Sequence, residues 1–170
     1  MFRALTSLLL CTVCWLGPDQ DPRQFTEVDF RVKGVGLGSA FRVVLRQLGQ
    51  PVSSKRQKMD DDFVGECGPA YTSLRLRYEG ASLELSGDLK GRNFFVISME
   101  VTSPKFLIAP GVKIGMTEEE TRSKLGAPVE ERSESGSRIL IYATKGNDGS
   151  AGLYFRDGRL VKVLWEYIAC

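Results

Sequence analysis

The sequence predicts an α+β fold made of two tandem helix-plus-antiparallel-sheet units, with the helices on one face of the sheet. Three observations predict it: an internal repeat, helix start and stop signals inside each copy, and apolar alternation after each helix. Gly34 to Val52 written above Gly111 to Val129, without a gap, gives identical residues at seven of nineteen positions. The matches are Gly34 with Gly111, Val35 with Val112, Gly38 with Gly115, Leu48 with Leu125, Gly49 with Gly126, Pro51 with Pro128 and Val52 with Val129. The units are bounded at residues 24–104 and 105–170.

Residues 1–17 come first and carry a processing pattern. Arg3 gives a short positive start, and Ala4 to Leu16 is an uncharged stretch too short to span a bilayer as a helix. This reads as a secretory signal peptide; the alternative is a lipoprotein leader modified at Cys11 or Cys14, the only way the chain would reach a membrane. Removal of the leader leaves Cys67 and Cys170, an even pair of the kind that forms a disulfide in an exported chain. That bond would close a loop of about 100 residues, equivalent to roughly 4 to 5 kcal/mol in chain-entropy terms.

Thr26 to Val32 alternates cleanly and predicts a strand leading into the first unit. Ser39 or Ala40 then opens a helix, whose Phe41, Val44, Leu45 and Leu48 share one face, and Gly49 closes it. Ser53 to Thr72 reads as a loop carrying Asp60, Asp61, Asp62 and Cys67. Strands are expected at Leu74 to Glu79, Ser82 to Leu85 and Phe94 to Val101. In the second unit Thr117 and Glu120 form a capping box, and Gly126 stops the helix in a left-handed conformation ahead of Pro128. Strands follow at Arg138 to Ala143, Gly152 to Arg156 and Leu160 to Ile168, with Gly146 to Ser150 as a hairpin tip and Tyr142 in the place of Tyr78. For the Arg156-Asp157-Gly158-Arg159 turn a bulged type I geometry is preferred, because it sets Leu153, Phe155, Val161, Val163 and Trp165 on one face.

Gly111-Val112-Lys113-Ile114-Gly115-Met116-Thr117, followed by Gly126-Ala127-Pro128, is similar to the signature of the SmpA/OmlA (BamE) family of small bacterial envelope lipoproteins. Two such copies in tandem resemble the β-lactamase inhibitor protein (BLIP) fold. The first copy departs from the signature, with Ser39-Ala40 in place of the Met-Thr pair, and the leader has no clear lipobox. The resemblance implies a fold and an envelope setting; it assigns no chemistry to any residue.

Composition narrows the function classes. The chain has 23 Lys and Arg against 21 Asp and Glu, a net charge of +2, and no run of like charge longer than three, which argues against a nucleic-acid binder. It has no histidine, which removes Ser-His-Asp and Cys-His catalysis and histidine-based zinc sites. Gly34-Val35-Gly36-Leu37-Gly38 does not fit the dinucleotide spacing and reads as a repeated turn. Asp60-Asp61-Asp62 lacks the spacing of a calcium loop, and Glu118 to Glu120 is explained by capping. No catalytic residue, metal site or cofactor is expected.

What remains is the sheet face turned away from the helices. The second unit is expected to present Ile139, Ile141, Tyr154, Leu160, Lys162 and Leu164 there, and the first Arg75, Arg77, Glu84, Phe94, Val96 and Ser98. Aromatic, aliphatic and arginine side chains mixed on one face are typical of an interface centre. The expected function is an exported, non-enzymatic protein that binds another protein, as an inhibitor or immunity protein. The alternative is a membrane-anchored envelope assembly or scaffold lipoprotein of BamE type.

Overall fold

A computed structural model of the chain describes residues 27–59, 70–146 and 149–167. The leader, all four cysteines and Asp60 to Asp62 lie outside the described residues, and with them the expected disulfide. The fold is α+β, with two helices and a large antiparallel sheet among the described residues. The described chain runs β1 (Arg31–Val32), α1 (Phe41–Leu48), β2 (Ser53–Met59), β3 (Tyr71–Tyr78), β4 (Ala81–Gly87) and β5 (Phe95–Val101). It continues with β6 (Ile108–Ala109), α2 (Glu118–Leu125), β7 (Glu130–Glu134), β8 (Ser137–Ala143), β9 (Gly149–Arg156) and β10 (Arg159–Tyr167). Eight strands form one sheet in the order β2-β3-β4-β5-β10-β9-β8-β7, and β1 pairs with β6 in a small second sheet.

The helix signals act as expected, with one correction. Thr117 accepts from the Glu120 amide at 3.1 Å while the Glu120 carboxylate accepts from the Thr117 amide at 2.7 Å, a complete capping box. Gly49 and Gly126 end the helices at φ 83° and 79°, but with ψ −164° and −156° they lie in the glycine-only region of extended ψ and not in the left-handed helical well. Each stop is then tied to the sheet in the same way. The Tyr78 hydroxyl donates to the Gly49 carbonyl and the Tyr142 hydroxyl to the Gly126 carbonyl, both at 3.1 Å.

Helices and sheet share one core. Val44 of α1 and Leu125 of α2 belong to the same buried cluster as Leu76, Leu83, Leu85, Met99, Leu140, Leu153, Val163 and Trp165. Trp165 is fully buried near the middle of the sheet, with the Phe30 ring 6.0 Å from its own.

Several expected elements change. Ser53 to Thr72 is not a loop throughout: Ser53–Met59 is a strand in unbroken register with Tyr71–Tyr78. Glu130–Glu134 is a further strand that the sequence did not indicate, paired with β8. Of Thr26 to Val32, the described part pairs as a strand at Arg31–Val32 and as an isolated parallel bridge from Val28 to Thr144, and a tight turn that bonds Val32 to Val35 in both directions then diverts the chain. Its alternation still marks burial, since Val28, Phe30 and Val32 point into the core.

The last hairpin is the most informative correction. Arg156 faces Arg159 directly, and Asp157 and Gly158 both have positive φ, 50° and 71°, so the turn is the two-residue type I′ form. The extra residue sits inside β10: Leu160 pairs with Phe155 and Lys162 with Tyr154, leaving Val161 as a bulge. In β5 the same device recurs, for Val96 pairs with Leu85 and Ser98 with Glu84, leaving Ile97 over. The backbone just before each bulge is held by the turn that opens each helix. Gly38 donates to the Val96 carbonyl and Gly115 to the Leu160 carbonyl, both at 2.8 Å.

Burial, the largest influence on it, pushes the Tyr142 phenol up to about 12; nearby Arg122 opposes this, and Glu131 and Glu118 add to it. Unfolded, the phenol ionises near 10, so the folded state loses stability as pH rises from about 10 through 12. Tyr142→Phe should lower stability at neutral pH by about 1 kcal/mol, through loss of the Gly126 bond, and should blunt this alkaline decline. Chemical denaturation at pH 7 and pH 11 checks both effects.

Candidate functional site

The helices cover one face of the sheet, and among the described residues no element covers the other. Ladder pairing fixes which side chains share this open face. One row across the sheet runs Ser53, Arg77, Ser82, Glu100, Leu164, Gly152, Ile141 and Glu130. A neighbouring row contains Lys55, Arg75, Glu84, Ser98, Glu166 and Ser150.

Six of the ten residues expected at the site stand on this face with solvent access: Arg75, Arg77, Ile141, Tyr154, Lys162 and Leu164. Ile139 lies on the same face but is only 1% exposed, at the floor of a hollow beside Tyr154 and Lys162. Phe94, Val96 and Leu160 belong elsewhere. They are 6%, 0% and 1% exposed and pack in the helix-side core, where the Phe94 ring meets Phe41 edge-on at 6.4 Å. The bulges at Ile97 and Val161 are the reason. Uninterrupted alternation would carry Val96 and Leu160 to the face of Ser98 and Lys162, and one extra residue sends them to the opposite side. The same shift leaves Phe95 42% and Val161 37% exposed, neither of which the sequence marked for the site.

Hollows of unequal size mark the face, two of them wide. The first, of about 620 Å³, is lined by Lys55, Arg75, Arg77, Glu84 and Glu100 among serines, and reaches Leu164. Here Arg75 bonds Glu84 at 3.2 Å, and the Ser73 hydroxyl donates to the same carboxylate at 2.8 Å. No ion pair to a described residue holds Arg77 or Lys55, so two cations stand free beside serine hydroxyls. The second hollow, of about 440 Å³, is lined by Ile139, Tyr154, Val161 and Lys162 with Glu134 and Arg156 at its margin.

Tyr154 is the organised centre of the second hollow. The Lys162 ammonium sits 3.8 Å from its ring centroid and reaches Glu100 at 3.9 Å. The ring also leans over Gly152, where an added Cβ would lie 3.1 Å from it. Gly152 separates Leu164 from Ile141 in the ladder, so the absent side chain makes room for the ring between two aliphatic neighbours. An aromatic already held in this way loses little freedom when a partner covers it.

The opposite face carries a separate ion network. Glu118 of α2 bonds Arg122 and Arg138, and Glu131 of β7 bonds the same two arginines. Burial draws the Glu118 carboxyl up, but the arginine bonds outweigh it and hold the group below its ordinary range. This ties α2 to an edge of the sheet, a structural role. Among the described residues no group of three or more Asp, Glu, Cys or His side chains is placed to hold a metal, and no helix is long and apolar enough to cross a membrane.

No known protein family and no curated protein matches the chain. Solved structures similar to it in shape include a cysteine-rich secretory protein from Staphylococcus aureus, with TM-score 0.50 and 15% identity over 84% of this chain and 48% of that one. An extracellular protein containing an SCP domain, from Bacillus anthracis, gives TM-score 0.44 and 14% identity over 77% and 44%. A candidate β-lactamase inhibitor protein from Streptococcus mutans gives 0.29 and 16% over 83% and 90%. The chain thus spans less than half the length of the first two. At such identity the staphylococcal likeness speaks for the fold alone.

Lys162→Ala should free the Tyr154 ring and lower stability by about 0.5 to 1 kcal/mol, the size of an exposed cation–π contact. Tyr154→Leu should lose as much, and the two changes together little more than either alone. A double-mutant cycle by denaturant unfolding measures the coupling; additive losses would show that the contact is unimportant.

Proposed function

We propose that this is an exported, non-enzymatic protein that acts by docking its open sheet face onto another protein, as an inhibitor or immunity-type protein would. One observation carries the reading: both helices pack into the core behind a single sheet, and the front presents free cations, serines and a held aromatic within an aliphatic patch. Among the described residues nothing covers this face, and its aromatic and aliphatic side chains set it apart from the polar outer face usual in an antiparallel sheet. Export rests on the charge and apolar pattern of residues 1–17.

The architecture suits the role. We take the chain as two copies of a helix-plus-four-strand unit, residues 24–104 and 105–170, in the BLIP-like arrangement. The repeated helix order, the twin tyrosine bonds and the twin bulges support it. Joining two four-stranded halves edge to edge yields a platform wide enough for a protein surface. The mechanism is steric: the partner's working surface is covered. No cofactor or nucleic acid is involved.

Arg77 and Tyr154 are the first residues to change, because each lies in a different hollow and neither contributes to the core. With the protein immobilised as bait in an extract of its producing cell, one specific partner should be recovered. Arg77→Glu with Tyr154→Ala should weaken that capture by roughly two orders of magnitude, as for two interface anchors, while circular dichroism keeps the parent's form and melting falls only by the few degrees that loss of the Tyr154 contact implies. Capture that survives the double change intact would remove the open face from consideration.

A further inference from the structure

We infer that β2 is a second docking site, an edge to which an acidic, extended segment of another protein adds as an outer strand. β2 is terminal in the sheet, so among the described residues nothing pairs with the outer amides and carbonyls of its backbone. Edges are usually blunted by shortness, proline, bulges, a covering element or charged side chains. Among the described residues β2 shows only the last of these: it is seven residues long, pairs residue for residue with β3, and exposes every side chain from Ser53 to Lys58, Lys55, Arg56 and Lys58 among them.

Its charge selects the occupant. β2 carries Lys55, Arg56 and Lys58 and no acidic residue. Arg75 and Arg77 stand behind it on β3, and of these five cations only Arg75 has an ion-pair partner among the described residues. The cations are divided between the two sides of the strand. Lys55 lies opposite Arg75 on the open face, whereas Arg56 and Lys58 lie opposite Leu74 and Thr72 on the helix side. Arg56 is further held by the Phe94 ring, 5.2 Å from its guanidinium carbon. An added strand presents alternate side chains to the two sides, so carboxylates at successive positions would each meet a cation. Lysines at an edge also repel a second copy of the same edge, which turns β2 away from itself and toward an acidic strand. The other edge differs: β7 carries three glutamates and one arginine, and Glu131 is already bound to Arg122 and Arg138. Main-chain bonding would supply affinity, and the cations would supply the choice of partner.

The site shares Lys55, Arg75 and Arg77 with the first hollow of the open face but takes its partner through the β2 backbone, so Tyr154→Ala, which alters the open face alone, separates the two readings. The test uses end-blocked, fluorescent peptides in which pairs of adjacent glutamates, one for each side of the strand, are spaced by threonines, with their lysine-for-glutamate counterparts and an acidic version with proline replacing alternate threonines. Anisotropy with the purified protein should show binding of the first alone. Lys55→Glu with Lys58→Glu should weaken it by roughly tenfold or more, Tyr154→Ala should leave it unchanged, and amide exchange along Ser53–Met59 should slow when the acidic peptide binds. Equal binding of the proline peptide would reduce the effect to loose electrostatic attraction and overturn the proposal. So would indifference to the charge reversal, or self-association through β2 detected by sedimentation.

Discussion

The pairing of β5 with β10 is the interaction on which the rest of this structure depends. It consists of four facing pairs, Val163 with Val101, Leu164 with Glu100, Trp165 with Met99 and Glu166 with Ser98. Every other strand pair in the large sheet links neighbours within one half of the chain. This one alone joins the halves in that sheet, and it does so where the core is deepest. Val101, Met99, Val163 and Trp165 are fully buried on one side of it, and Phe30, just before β1, sets its ring 6.0 Å from that of Trp165. Fully burying side chains of this size stabilises by about 1.5 to 3 kcal/mol each. Without the junction, each half would expose a long inner edge and lose the cover over Trp165.

The bulges at Ile97 and Val161 make that junction compatible with a one-sided core. Both halves anchor the turn before a helix to the strand residue just ahead of the bulge, Val96 or Leu160, and that residue must point inward to fill the space beneath the turn. The strand beyond must also present Met99 with Val101, or Val163 with Trp165, to the core. Strict alternation cannot satisfy both demands, because the two sets are separated by an odd number of residues. One unpaired residue resolves the conflict. The consequence for function is direct, since the choice of side chains on the open face is set by where the extra residue falls.

Legibility in the sequence followed burial rather than hydrogen bonding. Gly49, Gly126 and the Thr117–Glu120 box were legible because helix ends impose local chemistry on particular residue types. Strands β3, β4, β8, β9 and β10 were legible because one side of each is buried and the other is not. β2 and β7 were not: they are edge strands with almost every side chain exposed, so neither carries an apolar period, although their backbones are as fully paired to one neighbour as any other. At the candidate site, Arg75, Arg77, Tyr154 and Lys162 were placed on the open face from alternation alone. Phe94, Val96 and Leu160 were not, because no residue type announces a bulge when the inserted position is itself apolar, as Ile97 and Val161 are.

Likeness between the halves ends at the open face. Corresponding ladder positions carry Ser98 and Lys162, Glu100 and Leu164, Ser82 and the stretch around Gly152 that receives the Tyr154 ring. The first half therefore offers hydroxyls and charges, the second an aromatic set among aliphatics, and the β5–β10 seam is the boundary between them. A face with like halves would accept a partner equally well in two orientations related by a half-turn. Unlike halves remove that degeneracy, because turning a partner around would set its apolar surface against Arg75 and Arg77 and its polar surface against Ile141 and Leu164, leaving charges desolvated without partners. A shared frame makes the platform broad; divergence of the side chains it displays is what would allow the proposed docking face to hold a partner in one orientation.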